Sequence, residues 1–228
     1  MSGMDAEEPE PLTGAPVEDR RLLRARRTRD ALATAALDLI LERGLAATTV
    51  EAVAERADVT RRTFSRYFTG KEDAALGFVR DDGERINALL RARPAAEPPL
   101  VAYRRAVCAW LADRENPAWH LRPKTRRMIT LVNREPALFA AYERIRVDAQ
   151  DESVGIIADR LGAGPGDLRP AVVVAAAAGV LTAALRAWAC DEGDPDTAAD
   201  DLADLVERAY DALNTEAADA DLHRTTDE

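Results

Sequence analysis

Between Leu32 and Ile40 the apolar residues fall at helical intervals. Leu32, Ala35, Ala36, Leu39 and Ile40 share one face, and Gly44 follows as a stop. This first helix is predicted to begin inside the arginine-rich run 20–27. A second, short helix is predicted from Thr48-Thr49, with Val50, Val53, Ala54 and Ala57 as its buried stripe. Thr48 and Glu51 stand at the spacing of a capping box, in which each side chain serves the other's exposed backbone N–H. Asp58-Val59-Thr60 interrupts, and Arg61 to Phe68 forms a third helix. A longer helix then runs from Lys71 to about Arg91, carrying Phe78, Val79, Ile86 and Leu90 inward, until the proline-rich stretch 94–99 ends it. Five more helices are predicted near 100–114, 117–133, 136–161, 167–192 and 196–214, with Pro or Gly at nearly every junction. Asp167 and Asp194 suit N-caps, and Pro195 suits a first helical position. No stretch alternates with period two for long enough to be a strand. The pattern predicts an all-α chain of about nine helices. A three-helix domain spans 20–70 and a larger helical domain 71–214, between a disordered acidic tail (1–19) and a flexible tail (215–228).

Charge changes this picture in one place. The 228-residue chain carries a net charge of −10, which taken alone argues against a polyanionic partner. The distribution reverses that impression. Residues 1–19 hold six acids and no base, residues 20–71 hold twelve bases against six acids, and the remainder is again acidic. One basic block in an acidic protein marks a local footprint on a polyanion, while the acidic remainder discourages non-specific adhesion.

The basic block is also where the helix pattern is most specific. A helix-turn-helix packs two short helices so that the second protrudes into a DNA major groove. It needs a small residue at the helix crossing, a tight turn, an apolar plug and a polar outer face. Ala54 supplies the first, Asp58 the second and Val59 the third. Phe64 and Phe68, four apart, turn inward and leave Arg61, Arg62, Ser65 and Arg66 outside. Arginine can read guanine through O6 and N7, whereas hydroxyls and ammonium groups hold phosphates. Arg61 and Arg62 are therefore the candidate base readers within Thr60 to Tyr67, including Thr63 and Arg66. Ser65, Tyr67, Thr48 or Thr49, and Lys71 are candidates for the phosphate backbone, the last three standing at helix starts.

The stretch from Arg26 to Leu76, above all TTVEAVAERADVTRRTFSRYFTGKEDAAL, resembles the DNA-binding domain of the TetR family of repressors. At the motif's positions this sequence supplies Thr49-Val50, Ala54, Ala57-Asp58-Val59, Thr63-Phe64, Tyr67-Phe68 and Lys71-Glu72. Two depart from the family pattern: Asp58 stands where Gly is usual, and Ser65 where Tyr is common. Ser65 keeps a hydrogen-bond donor but offers less contact area. The resemblance covers about a quarter of the chain. It implies a homodimer on a pseudo-palindromic operator, released by a small molecule bound in the C-terminal domain, with the last two helices as dimer interface. Leu181, Leu185, Trp188, Leu202, Leu205, Val206, Ala209 and Leu213 are the candidate interface residues. The same stripes suit an intramolecular core.

For the effector, Tyr103, Trp110, Trp119, Phe139 and Tyr142, with Arg126 and Arg127, are candidates to line an apolar pocket with an anionic end. The bland alternative is ordinary core with solvated arginines. The segment LRPKTRRMITLVNREPALFAAYERIR is similar to the branch of the family that binds acyl-CoA-like ligands, which implies an apolar or acyl-CoA-like anion.

Other chemistry finds no support. Gly162 to Gly166 is glycine-rich but follows a helix and lacks the Lys and Ser/Thr of a P-loop. His120 and His223 belong to no metal or nucleophile spacing, and Cys108 and Cys190 suit two buried thiols in a reducing compartment. No cofactor is implied. The longest apolar run, Ala171 to Leu185, is fifteen residues, short of the roughly 20 of a membrane span. With no signal-peptide pattern, a cytoplasmic protein without membrane contact is expected. Two other functions stay open from sequence alone: a structural DNA-binding protein with no effector, and an enzyme whose helix-turn-helix is a decoy.

Overall fold

The computed structural model describes residues 17–190 and 198–226. Ten α-helices and one 3-10 turn make up its regular structure, and no strand occurs among the described residues. The acidic tail expected at 1–19 lies almost wholly outside them, as do Asp194 and Pro195.

The N-terminal unit is built on α1 (Val17–Arg43), whose inner stripe of Leu32, Ala36, Leu39 and Ile40 is fully buried. Gly44 ends the helix with φ +83°, a left-handed conformation that glycine adopts without a Cβ clash. Across this stripe pack α2 (Val50–Arg56) and α4 (Lys71–Ala75), and α3 (Arg61–Tyr67) packs on α2. The cap of α2 falls one residue later than the capping-box spacing predicts. Thr49 is the N-cap and accepts from the Ala52 N–H at 3.1 Å. Thr48 is instead buried and donates to the Gly44 carbonyl, and Glu51 pairs with Arg61 at 3.0 Å.

The single helix expected from Lys71 to Arg91 is two. Leu76 departs from helical geometry at φ −99°, ψ 14°, separating α4 from α5 (Gly77–Ala92). The break lets Leu76 bury completely and lets α5 start hard against α1. A Cβ at Gly77 would stand 3.2 Å from the Ala33 Cβ. Because α4 packs on α1, the N-terminal unit runs to about Leu76 rather than stopping at residue 70.

The larger unit places α5 against α6 (Pro99–Ala112) and α8 (Pro136–Leu161), α8 against α9 (Arg169–Cys190), and α9 against α10 (Ala198–Thr226). Proline in the first turns of α6, α8 and α7 (Pro123–Val132) costs nothing, since N–H groups there have no intrahelical acceptor. At Pro123 it splits the helix expected over 117–133 into a 3-10 turn, Trp119–Leu121, and the shorter α7. Gly162 closes α8 at φ +57°, with the Ala163 N–H returning to the Ala158 carbonyl, so the glycine-rich segment is a helix connector. The last helix continues through the stretch expected as a flexible tail, reaching Thr226.

Apolar on most sides, α9 fills nearly the whole span predicted for it, 167–192, and extends the apolar stretch beyond the fifteen-residue run Ala171 to Leu185. By length and composition, Arg169–Trp188 could cross a membrane. One face, with Val174, Ala177, Val180, Ala184 and Trp188, is buried in the protein's own core. Opposite it, Leu168, Ala171, Val172, Ala175, Gly179 and Ala183 are exposed, Leu168 by 73% and Val172 by 62%.

Candidate nucleic-acid interface and internal cavity

The crossing of α2 and α3 rests on few residues. Ala54 is buried at the contact, and its carbonyl accepts from the Val59 N–H at 2.9 Å. Asp58 turns the chain with φ +53°, the only positive φ outside glycine among the described residues. Asp tolerates that conformation better than most residues, which is how this position dispenses with glycine. Phe64 and Phe68 anchor α3 from beneath, nearly fully buried, their rings 5.8 Å apart.

Above them Arg61, Arg62, Ser65 and Arg66 are exposed together. Arg61 shares an ion pair with Glu51, both side chains well exposed. Arg62 and Ser65 have no side-chain partner among the described residues. The Arg66 guanidinium donates to the Tyr67 hydroxyl at 3.2 Å and lies 5.2 Å from its ring centre, which stiffens the C-terminal end of α3. Thr60 caps the helix by accepting from the Thr63 N–H, and the two threonine hydroxyls lie 3.0 Å apart. Thr49 is exposed at the start of α2.

Two residues read from sequence as DNA contacts stand elsewhere. Thr48 is 1% exposed, so its hydroxyl cannot meet a phosphate. The Lys71 ammonium donates to the Leu45 and Thr48 carbonyls, both at 2.7 Å, tying α4 to the α1–α2 connection. Its charge is spent on backbone oxygens inside the domain. Sequence suggested otherwise because a lysine at a helix start looks the same whether it faces out or back.

In the larger unit a narrow cavity opens between α5, α6, α8 and α9. Its volume is only about 90 Å³. Four of the expected lining residues are there: Tyr103, Trp110, Trp119 and Tyr142. Three are not. Arg126 lies over the Trp188 ring, 4.4 Å from its centre, Arg127 is exposed, and Phe139 is 46% exposed. The cation in the wall is Arg146, already paired with Glu143 at 2.6 Å. Asp82, 4% exposed, is likewise satisfied by Arg85 and by the Trp119 N–H. The unpredicted polar patch is Asn87, which donates to the Ala149 carbonyl and accepts from Ser153 at 2.6 Å. Burial holds the Tyr103 and Tyr142 hydroxyls above their usual range, so both remain neutral donors. The Trp110 Nε1–H is buried with no acceptor among the described residues.

The expected dimer residues divide. Leu181 and Leu185 line the cavity. Trp188, Leu202 and Val206 are at most 2% exposed and belong to the protomer's own core, so they are not available to a partner. Leu205, Ala209 and Leu213 are half-buried against that core. His120 is buried among the rings of Trp110, Trp119 and Trp188, at 5.8 to 6.2 Å, and its Nδ1 has no hydrogen-bond partner among the described residues. Cys108 is half-buried, its thiol donating to Glu207. The side chain of Cys190 lies outside the described residues.

A basic helix-turn-helix joined to a helical body that holds a cavity defines a DNA-binding transcriptional regulator. Residues 32–74 match the family described as bacterial regulatory proteins, tetR family, and residues 97–218 match the MftR C-terminal domain. The chain is 37% identical over 204 residues to the HTH-type transcriptional regulator TcmR of Streptomyces glaucescens, covering 86% of this chain and 87% of that protein. The protein belongs to the TetR family, whose members are DNA-binding regulators and not enzymes. Among solved structures it is similar to the fatty acid degradation regulator FadR of Bacillus halodurans (TM-score 0.48, 16% identity, 78% of this chain and 94% of that one). It is also similar to NalD, the secondary repressor of the MexAB-OprM multidrug efflux pump in Pseudomonas aeruginosa (TM-score 0.46, 24% identity, 81% and 97%).

Proposed function

We propose that the protein is a cytoplasmic, homodimeric repressor that holds a pseudo-palindromic operator and releases it when a small apolar molecule enters the cavity. The observation that carries this reading is the cavity itself, because of what its walls are attached to. Val79, Asp82 and Ile86 of α5 form one side. The same helix begins at Gly77, wedged against α1 of the DNA-binding unit. The slot is too tight for a drug-sized molecule unless its walls part, and parting them moves α5. That displacement reaches the recognition helices. Their separation in a dimer has to match one turn of DNA, roughly 34–36 Å. An effector shifts such an equilibrium only through its different affinity for the two states.

The lining favours a ligand with flat apolar faces and a hydrogen-bond acceptor. Rings of Tyr103, Trp110, Trp119 and Tyr142 offer the faces, and the unpartnered Trp110 Nε1–H, with the two phenols, offers donors. With Arg146 neutralised by Glu143, the cavity suits such a molecule better than an acyl-CoA-like anion.

On the DNA side, Arg62 is the leading base reader because its exposed guanidinium is uncommitted, whereas Arg61 must first leave Glu51. An exposed pair of that kind is worth only about 0–1 kcal/mol, so a phosphate can displace the carboxylate. Arg62→Ala is expected to cost about 1–3 kcal/mol of operator affinity and to relax preference at one operator position. Binding selections from random-sequence duplexes, run on both proteins, test this. An unchanged position-by-position preference in the variant contradicts the assignment.

A further inference from the structure

The first helix is longer than the fold needs. Its first fully buried residue is Leu32, yet the helix is described from Val17. From Arg20 to Leu32 is twelve residues, about 18 Å of helix. None of this extension is buried, and the match to the family's DNA-binding domain begins only at residue 32. Core packing therefore does not account for it.

Its charges converge on one place. Arg20, Arg24 and Thr28 repeat at four-residue intervals on one face of α1, with Arg21 beside them. These residues and the Arg66–Tyr67 pair of α3 line a single open cleft of about 780 Å³. Four guanidinium groups thus border one groove, and none has an ion-pair partner among the described residues. Arg29, two turns further on, shows the contrast by pairing with Asp81 at 3.0 Å. In a chain with 41 acids to 31 bases, four neighbouring arginines that pair with no carboxylate among the described residues make a local positive field. That field favours a polyanion, and Arg66 already stands on the recognition helix.

We infer that this cleft is a second DNA contact, in which Arg20, Arg21 and Arg24 grip phosphates flanking the half-site that α3 reads. The inference rests on the operator-binding reading above and extends it. The contact is blind to base sequence, because α3 fills the major groove and α1 runs beside it. It lengthens the footprint at each end of the operator. Each arginine that neutralises a phosphate adds about 0.9 to the slope of log affinity against log salt, so three per protomer add about 5 in a dimer.

The test uses the full-length protein and operator duplexes chosen by selection, ending either close to the half-sites or about ten base pairs beyond them. Wild type is expected to bind the longer duplex at least tenfold more tightly, whatever the flanking sequence. Combining Arg20→Gln, Arg21→Gln and Arg24→Gln is expected to remove that gain and to flatten the salt slope. The corresponding triple lysine variant is expected to restore most of the slope, which a merely folding-related defect would not. If the glutamine variant keeps the wild-type slope and flank dependence, the second contact does not exist. If wild-type protein selects no operator, the functional reading itself fails.

Discussion

Gly179→Glu is expected to leave the protomer folded, to abolish the dimer, and to lower operator affinity at least a hundredfold. Gly179 lies on the exposed face of α9, and a Cβ there would meet nothing within 4 Å. Within the protomer the change is harmless. Glycine inside a helix costs roughly 0.5–1 kcal/mol against alanine, so most of that is recovered. In the proposed dimer the position is different. A two-fold interface sets the same patch on both subunits face to face, here Leu168, Val172, Ala175, Gly179 and Ala183. The small residues let two helices approach closely, and a glutamate at the centre brings its own symmetry mate with it. Burying unpaired carboxylates costs several kcal/mol, enough to split a dimer at micromolar concentration. One protomer then holds one half-site, forfeiting the factor of about 10²–10⁴ that bivalent binding supplies. Light scattering and operator titration measure both effects. A variant that remains dimeric would place the interface elsewhere, and a change at Leu202 or Val206 cannot substitute for this test. Both are fully buried in the protomer, so charging them unfolds it.

The second large effect concerns acid. His120 is 5% exposed and ringed by three tryptophans, and burial, with the Arg126 charge, holds its pKa down to about 4 from 6.5. The imidazole is therefore neutral in the folded chain but protonated in the unfolded chain between those values. Stability is complete above pH 6.5 and is lost as pH falls toward 4, because the unfolded state binds the extra proton. The loss is about 3 kcal/mol over that window, a large part of a domain's typical 5–15. His120→Phe keeps an aromatic ring in the cage and removes the proton site. Denaturant melts of both proteins across the window should diverge by that amount. Parallel pH profiles would show that His120 is not the group responsible.

Sequence made the DNA-binding unit legible because its rules are local. Ala54, Val59, Phe64 and Phe68 sit at fixed offsets, and each does in the structure what its spacing predicts. The errors there are a matter of one residue or one direction. Thr49, not Thr48, takes the cap, since both hydroxyls could have served. Lys71 turns back to two carbonyls, and no pattern in the chain records which way an ammonium faces. In the larger unit, periodicity shows that a stripe is covered but not by what. Along α9, apolar on nearly every side, Trp188 is core, Leu181 and Leu185 are cavity wall, and Gly179 faces out. The break at Leu76 was hidden for a related reason. Gly77 is the one local signal, but a glycine inside a helical pattern is tolerated as often as it marks a break. The close approach to Ala33 and the burial of Leu76 become visible only in the packed structure.

Coupling between cavity and operator is the centre of the proposed mechanism, and coupling is reciprocal. Trp110 and Trp119 in the cavity wall report occupancy through their own fluorescence, so a library of small aromatic molecules can be screened for binding directly. The decisive measurement titrates a molecule found in this way into the protein with and without saturating operator. The affinity should be at least tenfold weaker with operator present, about 1.4 kcal/mol, and operator binding should weaken by the same factor when the ligand is present. Equal ligand affinities in the two titrations would contradict the proposal that the cavity controls DNA.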